Sequence, residues 1–327
     1  MRIGASIFPR PQGPDGAETA ACNDRGDAGS APLAIPAETG GAAVQTWAGL
    51  SLDRPRIMGV LNVTPDSFSD GGRHVDPERA IEAGLTMVKD GADIVDVGGE
   101  STRPGASAVS PEEELLRVMP VVRALAAAGV VVSIDTRNAL TMEAALRAGA
   151  AIVNDISALT HDPRSASIVA ARACPVVLMH MRGTPATMNR HAAYVDVVRE
   201  VTAEIAARIA AARQAGIAEE AIAIDPGLGF AKLAPDSTAL LRGLPRLAAL
   251  GRPIVLGVSR KSFIGRLGGE PEPVRRMPGS LAGGLFAIMQ GAHILRVHDV
   301  RETVQAGRVW AALTTPEASF PPPVPTR

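Results

Sequence analysis

One regularity constrains this chain more than any other. Short apolar runs alternate with longer stretches of helical period: Ile57–Leu61, Ile94–Val97, Val130–Ile134, Ile152–Val153, Val176–Met179, Ala221–Ile224, Ile254–Gly257 and Ile294–Val297. Each run is rich in β-branched residues and apolar on both alternating faces, as in parallel strands covered on both sides. Parallel strands need crossovers, and the segments between the runs read as helices. Asp76-Pro77-Glu78 and Ser110-Pro111-Glu112-Glu113 set a capping residue ahead of a proline at the first helical position. Ser110 and Glu113 also fit a capping box. Val198, Val201, Ile205 and Ile209 form one apolar stripe, stopped by Gly216; Leu281, Leu285, Ile288 and Met289 form another. Eight β/α units predict an α/β fold closed into a (β/α)8 barrel, the TIM-barrel class. An open doubly wound sheet is the weaker reading, because no Gly-x-Gly-x-x-Gly follows the first run.

The repeat also sets the domain organisation. Residues 1–45 are crowded with Gly, Pro, Ala and Asp, show no sustained period, and are expected to be a disordered N-terminal extension. Residues 46–314 form the barrel, and 315–327 a Pro-rich tail with Pro321, Pro322, Pro323 and Pro325. Apolar residues make up 46% of the 327 but aromatics only 3%, so the core is aliphatic. A formal charge of -1 speaks against nucleic acid or an anionic membrane as partner. No uncharged apolar stretch is long enough to cross a bilayer. The two cysteines, Cys22 and Cys174, do not make a disulfide framework, which points to the cytoplasm.

In such a barrel the site forms at the C-terminal strand ends, and here most runs end in polar residues. Asn62 and the segment to Gly72 follow the first run; Gly98-Gly99-Glu100-Ser101-Thr102-Arg103-Pro104 follows the second. Asp135, Asn154, Met179-His180, Asp225, Ser259-Arg260-Lys261-Ser262 and Arg296-Val297-His298 follow the others. Singly, each has an ordinary structural explanation: Asp135 as a helix cap, Asn154 as a turn residue, His180 as a bonded core histidine. Together they converge on one mouth. Arg260, Lys261, Arg296 and His298 occupy the usual phosphate corner, joined by Asn62 and Thr102. Asp135, Asn154 and Asp225 make an acidic, amide-rich wall suited to a guanidine-like ring edge. The six histidines show no metal-ligand spacing, so zinc is not expected. The residues alone indicate a barrel binding a nitrogen heterocycle with an anionic tail, and leave the reaction open.

The segments resemble, in order across residues 55–312, the dihydropteroate synthase family. The resemblance implies a transferase of folate biosynthesis that joins 6-hydroxymethyl-7,8-dihydropterin diphosphate to 4-aminobenzoate. It implies that Asp135, Asn154, Met179, Asp225, Lys261 and Arg296 hold the pterin. Asn62, Arg296 and His298 would hold the diphosphate, with Mg2+ reached through Asn62. Phe68, Thr102, Arg103, Pro104, Phe230, Ser259, Lys261 and Ser262 would surround the aminobenzoate. Asp135, Lys261, Arg296 and His298 would carry the chemistry, and the chain would be a homodimer. Two alternatives stay open: a related methyltransferase that serves a corrinoid protein, and a non-catalytic pterin-binding homologue. The family usually has glycine where Ala231 stands, Phe where Leu228 stands and often Gln where Arg182 stands.

Overall fold

A computed structural model describes residues 45–64, 76–101 and 109–314. The expected extension and tail therefore lie outside the described residues, as do Phe68, Thr102, Arg103 and Pro104. A two-stranded antiparallel hairpin comes first, β1 (Thr46–Trp47) with β2 (Leu50–Ser51). Eight parallel strands follow: β3 (Arg56–Asn62), β4 (Ile94–Gly98), β5 (Val132–Asp135), β6 (Ile152–Asp155), β7 (Val176–Met179), β8 (Ile222–Asp225), β9 (Val255–Gly257) and β10 (Ile294–Val297). Their order is β8-β7-β6-β5-β4-β3-β10-β9. The ring closes where β8 meets β9 through the parallel bridge Ile224–Ile254, with the Ile224 N–H donating to Pro253 O at 2.9 Å. All eight predicted runs are strands of this barrel, shifted by at most a residue or two at their ends.

The crossovers are helical: α1 (Pro77–Lys89), α2 (Pro111–Ala127), α3 (Ala139–Arg147), α4 (Ser165–Arg172) and α5 (Val197–Gln214) come first. Then come α6 (Ala234–Arg242), α7 (Leu244–Ala248), α8 (Ser262–Gly268), α9 (Met277–Met289) and α10 (Val300–Thr314). Asp76 Oδ1 accepts from the N–H of Glu78 at 3.0 Å, and Ser110 Oγ from that of Glu113 at 3.2 Å, so both predicted caps form. The capping box at Ser110 is only half made, because the Glu113 carboxylate turns to Arg117 at 2.5 Å. The α5 stripe is as expected: Val201 and Ile205 are buried, Val198 and Ile209 pack at its margin, and Gly216 sits just beyond the helix at φ +92°.

The α9 stripe is corrected. Its buried face is Ser280, Gly284 and Ala287. A Cβ on Gly284 would stand 3.3 Å from Leu295 Cδ1, and one on Gly279 2.5 Å from Ile264 Cγ2. The helix approaches its neighbours too closely for large side chains, and Leu281 and Leu285 are displaced to the outer side, facing Val309 and Trp310 of α10 across an apolar groove.

Two separate cores result. Outward strand residues such as Leu61, Val97, Ile134 and Leu178 pack on the helices. Inward residues Met58, Ile94, Ile152, Val177, Val255 and Ile294 fill the lower barrel. The hairpin closes that end: Trp47 is 2% exposed, belongs to this inner cluster, and donates its indole N–H to Ala221 O at 2.9 Å. Nothing in the sequence period announced the hairpin, because strands of two residues have none.

Candidate active site

The site follows from the two-residue period of a strand. On β4, Val95 and Val97 face the helices, while Ile94, Asp96 and Gly98 face inward. The interior therefore changes from apolar to polar along each strand. Asn62, Gly98, Asp135 and Asn154 are neighbours in register, and Met179 stands opposite Asp225. The predicted strand-end residues thus come together at the C-terminal mouth of the barrel.

Arg296 organises one side of it. It rises from β10 and donates Nε–H to Asp96 Oδ2 at 2.6 Å and an Nη2–H to Asp135 Oδ2 at 2.6 Å. Asn154 Nδ2 donates to the same Asp96 oxygen at 3.0 Å, which fixes its amide. Asp96 is wholly buried, and its Oδ1 finds no partner among the described residues. Burial drives the Asp135 carboxyl upward, Arg296 pulls it back, and the Asp96 charge adds to the rise, leaving it at about 7. Burial opposes the charge on Arg296, but Asp96 and Asp135 more than offset it and hold the guanidinium ionised. Glu114 of α2 braces the β5 end from behind, accepting from Thr136 Oγ1 at 2.9 Å and Asn138 Nδ2 at 2.9 Å.

The other side is built from the loops after β8 and β9. Asp225 is buried and its Oδ1 accepts the Gly227 N–H at 2.6 Å. Burial raises its pKa, against Lys261 and that N–H. Gly227 has φ +66°, and a Cβ there would collide with the carbonyl oxygen of His180, so only glycine lets the β8 loop cross the end of β7. Lys261 Nζ donates to Leu228 O and lies 4.9 Å from the centre of the Phe230 ring. Burial lowers the Lys261 ammonium to about 8, with Asp225 opposing. Ser262 begins α8, immediately after Lys261. Ser259 Oγ accepts the His298 N–H at 3.2 Å and lies 3.0 Å from His298 Nδ1, joining β9 to β10. Arg260, in the phosphate corner by position, pairs with Asp299 through two bonds and sits at φ +59°.

Asp96 lies inside an apolar run and not after it, so the strand-end pattern of the sequence does not reach it. Its signal was present: in Ile94-Val95-Asp96-Val97-Gly98 the odd and even positions separate into an aliphatic face and a mixed one. Among the described residues no three His, Cys, Asp or Glu side chains converge as a metal site. Asn62 offers a single amide oxygen. That donor set fits a hard cation that keeps most of its waters, not one caged by protein.

Comparison with known proteins agrees with this geometry. The model of the pterin binding enzyme family matches residues 58–298. The dihydropteroate synthase of Escherichia coli K12 is 48% identical over 261 residues, 80% of this chain and 92% of that protein. That of Mycobacterium leprae is 49% identical over 269 residues, 80% of this chain and 95% of that protein. The Xanthomonas albilineans dihydropteroate synthase with 4-aminobenzoic acid superposes with a TM-score of 0.77 at 49% identity, covering 82% of this chain and 97% of that one. The same enzyme with 7,8-dihydropteroate gives 0.74 at 47% identity, covering 81% and 96%. The chain belongs to the dihydropteroate synthase family.

Proposed function

We propose that the barrel mouth joins a pterin diphosphate to 4-aminobenzoate through the residues assembled there. The activity is that of a dihydropteroate synthase, a transferase of folate biosynthesis. The observation that carries the reading is Arg296 bonded to both Asp96 and Asp135, with Asp225 and Lys261 in the same mouth. An acidic wall accepts the N–H edge of a pterin, and the cations receive what leaves it.

Asp135, Asn154 and Asp225 accept from or donate to the pterin ring edge, Lys261 reaches its carbonyl side, Met179 lines the pocket and Arg296 stacks on the ring face. Asn62, Arg296 and His298 hold the diphosphate. Phe68, Thr102, Arg103, Pro104, Phe230, Ser259, Lys261 and Ser262 enclose the aminobenzoate. The bond from the pterin methylene carbon to oxygen breaks, and its electron pair leaves with diphosphate. Asp135 and Asp225 stabilise the positive charge left on the ring, the aniline nitrogen bonds to the methylene carbon, and that nitrogen sheds a proton. No covalent nucleophile is needed. Asn62 would hold a magnesium ion, which would supply charge neutralisation for the leaving diphosphate.

The test is Asp225→Ala. Truncating a buried, charged hydrogen-bond partner costs about 2–5 kcal/mol of pterin binding. Calorimetry showing unchanged pterin affinity in a folded variant removes Asp225 from the site. Diphosphate release measured with and without aminobenzoate separates the synthase from a non-catalytic pterin binder.

Three further assignments belong to this reading. Residues 46–314 are the catalytic unit; the compact unit containing the described residues begins at Val44, and deletion of 1–45 is expected to leave turnover intact. A homodimer is supported by the groove of Leu281, Leu285, Val309, Trp310 and Leu313, an apolar surface that water leaves at a gain; sedimentation measures it. A cytoplasmic location is supported by Cys174, a buried free thiol, which suits a reducing compartment.

A further inference from the structure

Behind the β8 loop lies a buried amine that none of these roles uses. Lys232 is 6% exposed. Its Nζ donates to Phe230 O at 2.8 Å and to His180 O at 3.2 Å, and lies 2.8 Å from His180 Nδ1. His180 is 5% exposed, and its Nε2 lies 2.8 Å from Glu204 Oε2 on α5. Arg182 also binds Glu204, through Nε at 3.1 Å, and stacks over Tyr194 at 4.1 Å.

The chemistry of these atoms fixes their roles. Against the effect of burial, the bonds from Arg182 and His180 hold the Glu204 carboxyl below its ordinary value, so it only accepts. The imidazole proton therefore sits on Nε2, which leaves Nδ1 to accept from Lys232. Burial, aided by the Lys232 charge, takes His180 down to about 4, so the ring is neutral. Lys232 thus donates in two directions, to the carbonyls of Phe230 and His180 and to His180 Nδ1, and His180 donates on to Glu204.

The Phe230 carbonyl belongs to a loop with little intrinsic preference for its shape. Gly227, Gly229 and Ala231 all have positive φ, at +66°, +78° and +51°. The loop is pinned internally by Phe230 N–H to Gly227 O at 3.0 Å. Lys232 bonds both Phe230 O in the loop and His180 O at the end of β7, and so sets the loop's height over the barrel. Phe230 presents its ring beside Lys261 Nζ.

We propose that Lys232, oriented by His180 and Glu204, is a positioning residue of the aminobenzoate subsite: it holds the Phe230 carbonyl against the end of β7 and so sets where the Phe230 ring stands beside Lys261. The inference rests on Phe230 and Lys261 holding aminobenzoate. It makes the subsite depend on a hydrogen-bonded chain rooted in α5, away from the barrel mouth.

The experiment compares Lys232→Met, Glu204→Ala, their combination and Phe230→Ala in the full chain. KM for aminobenzoate, kcat, pterin affinity by calorimetry and the melting temperature are measured for each. Lys232→Met is expected to raise KM for aminobenzoate about tenfold, the equivalent of roughly one lost hydrogen bond, while kcat and pterin affinity change less than about threefold. Glu204→Ala, on a half-exposed residue, is expected to raise the same KM by about threefold. The double variant should be no worse than Lys232→Met, because both act through one bond. An unchanged aminobenzoate KM in folded Lys232→Met, or single effects that multiply in the double variant, overturns the proposal. If Lys232→Met does not fold, an unchanged KM in Glu204→Ala overturns it alone. If Phe230→Ala raises KM and Lys232→Met does not, only the positioning role fails. If Phe230→Ala also leaves KM unchanged, the subsite assignment fails and the inference falls with it.

Discussion

At the N-terminal end of the barrel, the inward residues Ile94, Ile152 and Ala223 pack under Trp47 in an apolar plug. Two positions further along the same strands stand Asp96, Asn154 and Asp225. The distance between these layers is about 6–7 Å. Over that step the side chains pass from saturated apolar contact to a network of shared carboxylates, an arginine and an amide. The lower layer needs only volume and shape, which many aliphatic residues satisfy. The upper layer needs particular atoms at particular places, and it carries the costs: buried charge and an Asp96 oxygen with no partner among the described residues. The difference teaches that one strand can serve stability and chemistry in turn, provided its period keeps the two on the same face.

Substitutions can break this division. Arg296→Ala removes the partner of two carboxylates and a cation aimed at the leaving group, and should cost about 10³-fold or more in kcat/KM. The melting temperature should fall less than the activity, because Asp135, whose carboxyl burial already drives upward, can neutralise by taking up a proton. A collapse of stability equal to the loss of activity would show that the upper layer is structural too. Trp47→Ala is the mirror experiment. It empties the floor and should cost about 3–5 kcal/mol of unfolding free energy, with kcat/KM unchanged at a temperature where the variant is folded. Denaturant titration and steady-state kinetics measure the two sides.

A pH profile sharpens the contrast without any substitution. Asp135 must be ionised to accept an N–H, so kcat/KM should rise as pH increases through about 7. Lys261 must keep its proton to bind an anionic substrate, so kcat/KM should fall as pH passes about 8. Each limb should approach about tenfold per pH unit. Lys261→Arg should move the alkaline limb upward; a limb that stays in place belongs to another group. The smallest effect is expected at Ala231, which holds φ +51° where the family usually has glycine. Ala231→Gly should stabilise the fold by about 0.5–1 kcal/mol by relieving left-handed strain. An unchanged or lower midpoint in urea would mean that the buried methyl is worth as much as the strain.

The barrel was legible in the sequence because each strand is an aliphatic run between helix signals, a pattern that survives local variation. The strand-end residues Asp135, Asn154, Met179 and Asp225 were legible for the same reason, since a run's last residues mark the mouth. Asp96 was not, being enclosed by valines that made its run look uniformly apolar. The α9 face was misread because its buried side is small residues chosen for close approach, while the large apolar ones lie outside. The pairing of Arg260 with Asp299 and the Lys232–His180–Glu204 chain join residues 24 to 52 positions apart, and no local period encodes them.

The floor closed by Trp47 has a kinetic consequence. A barrel sealed below is a well with one opening, so its guests queue. Asp135, Asn154, Met179, Asp225 and Arg296 of the proposed pterin set lie on the strands, and Phe230, Lys261 and Ser262 stand beyond the strand ends. Whatever binds at the rim covers whatever binds below it. The deeper guest must enter first and cannot leave past the shallower one, so a rim-bound aminobenzoate analogue should slow the escape of pterin even though the two share no direct bond.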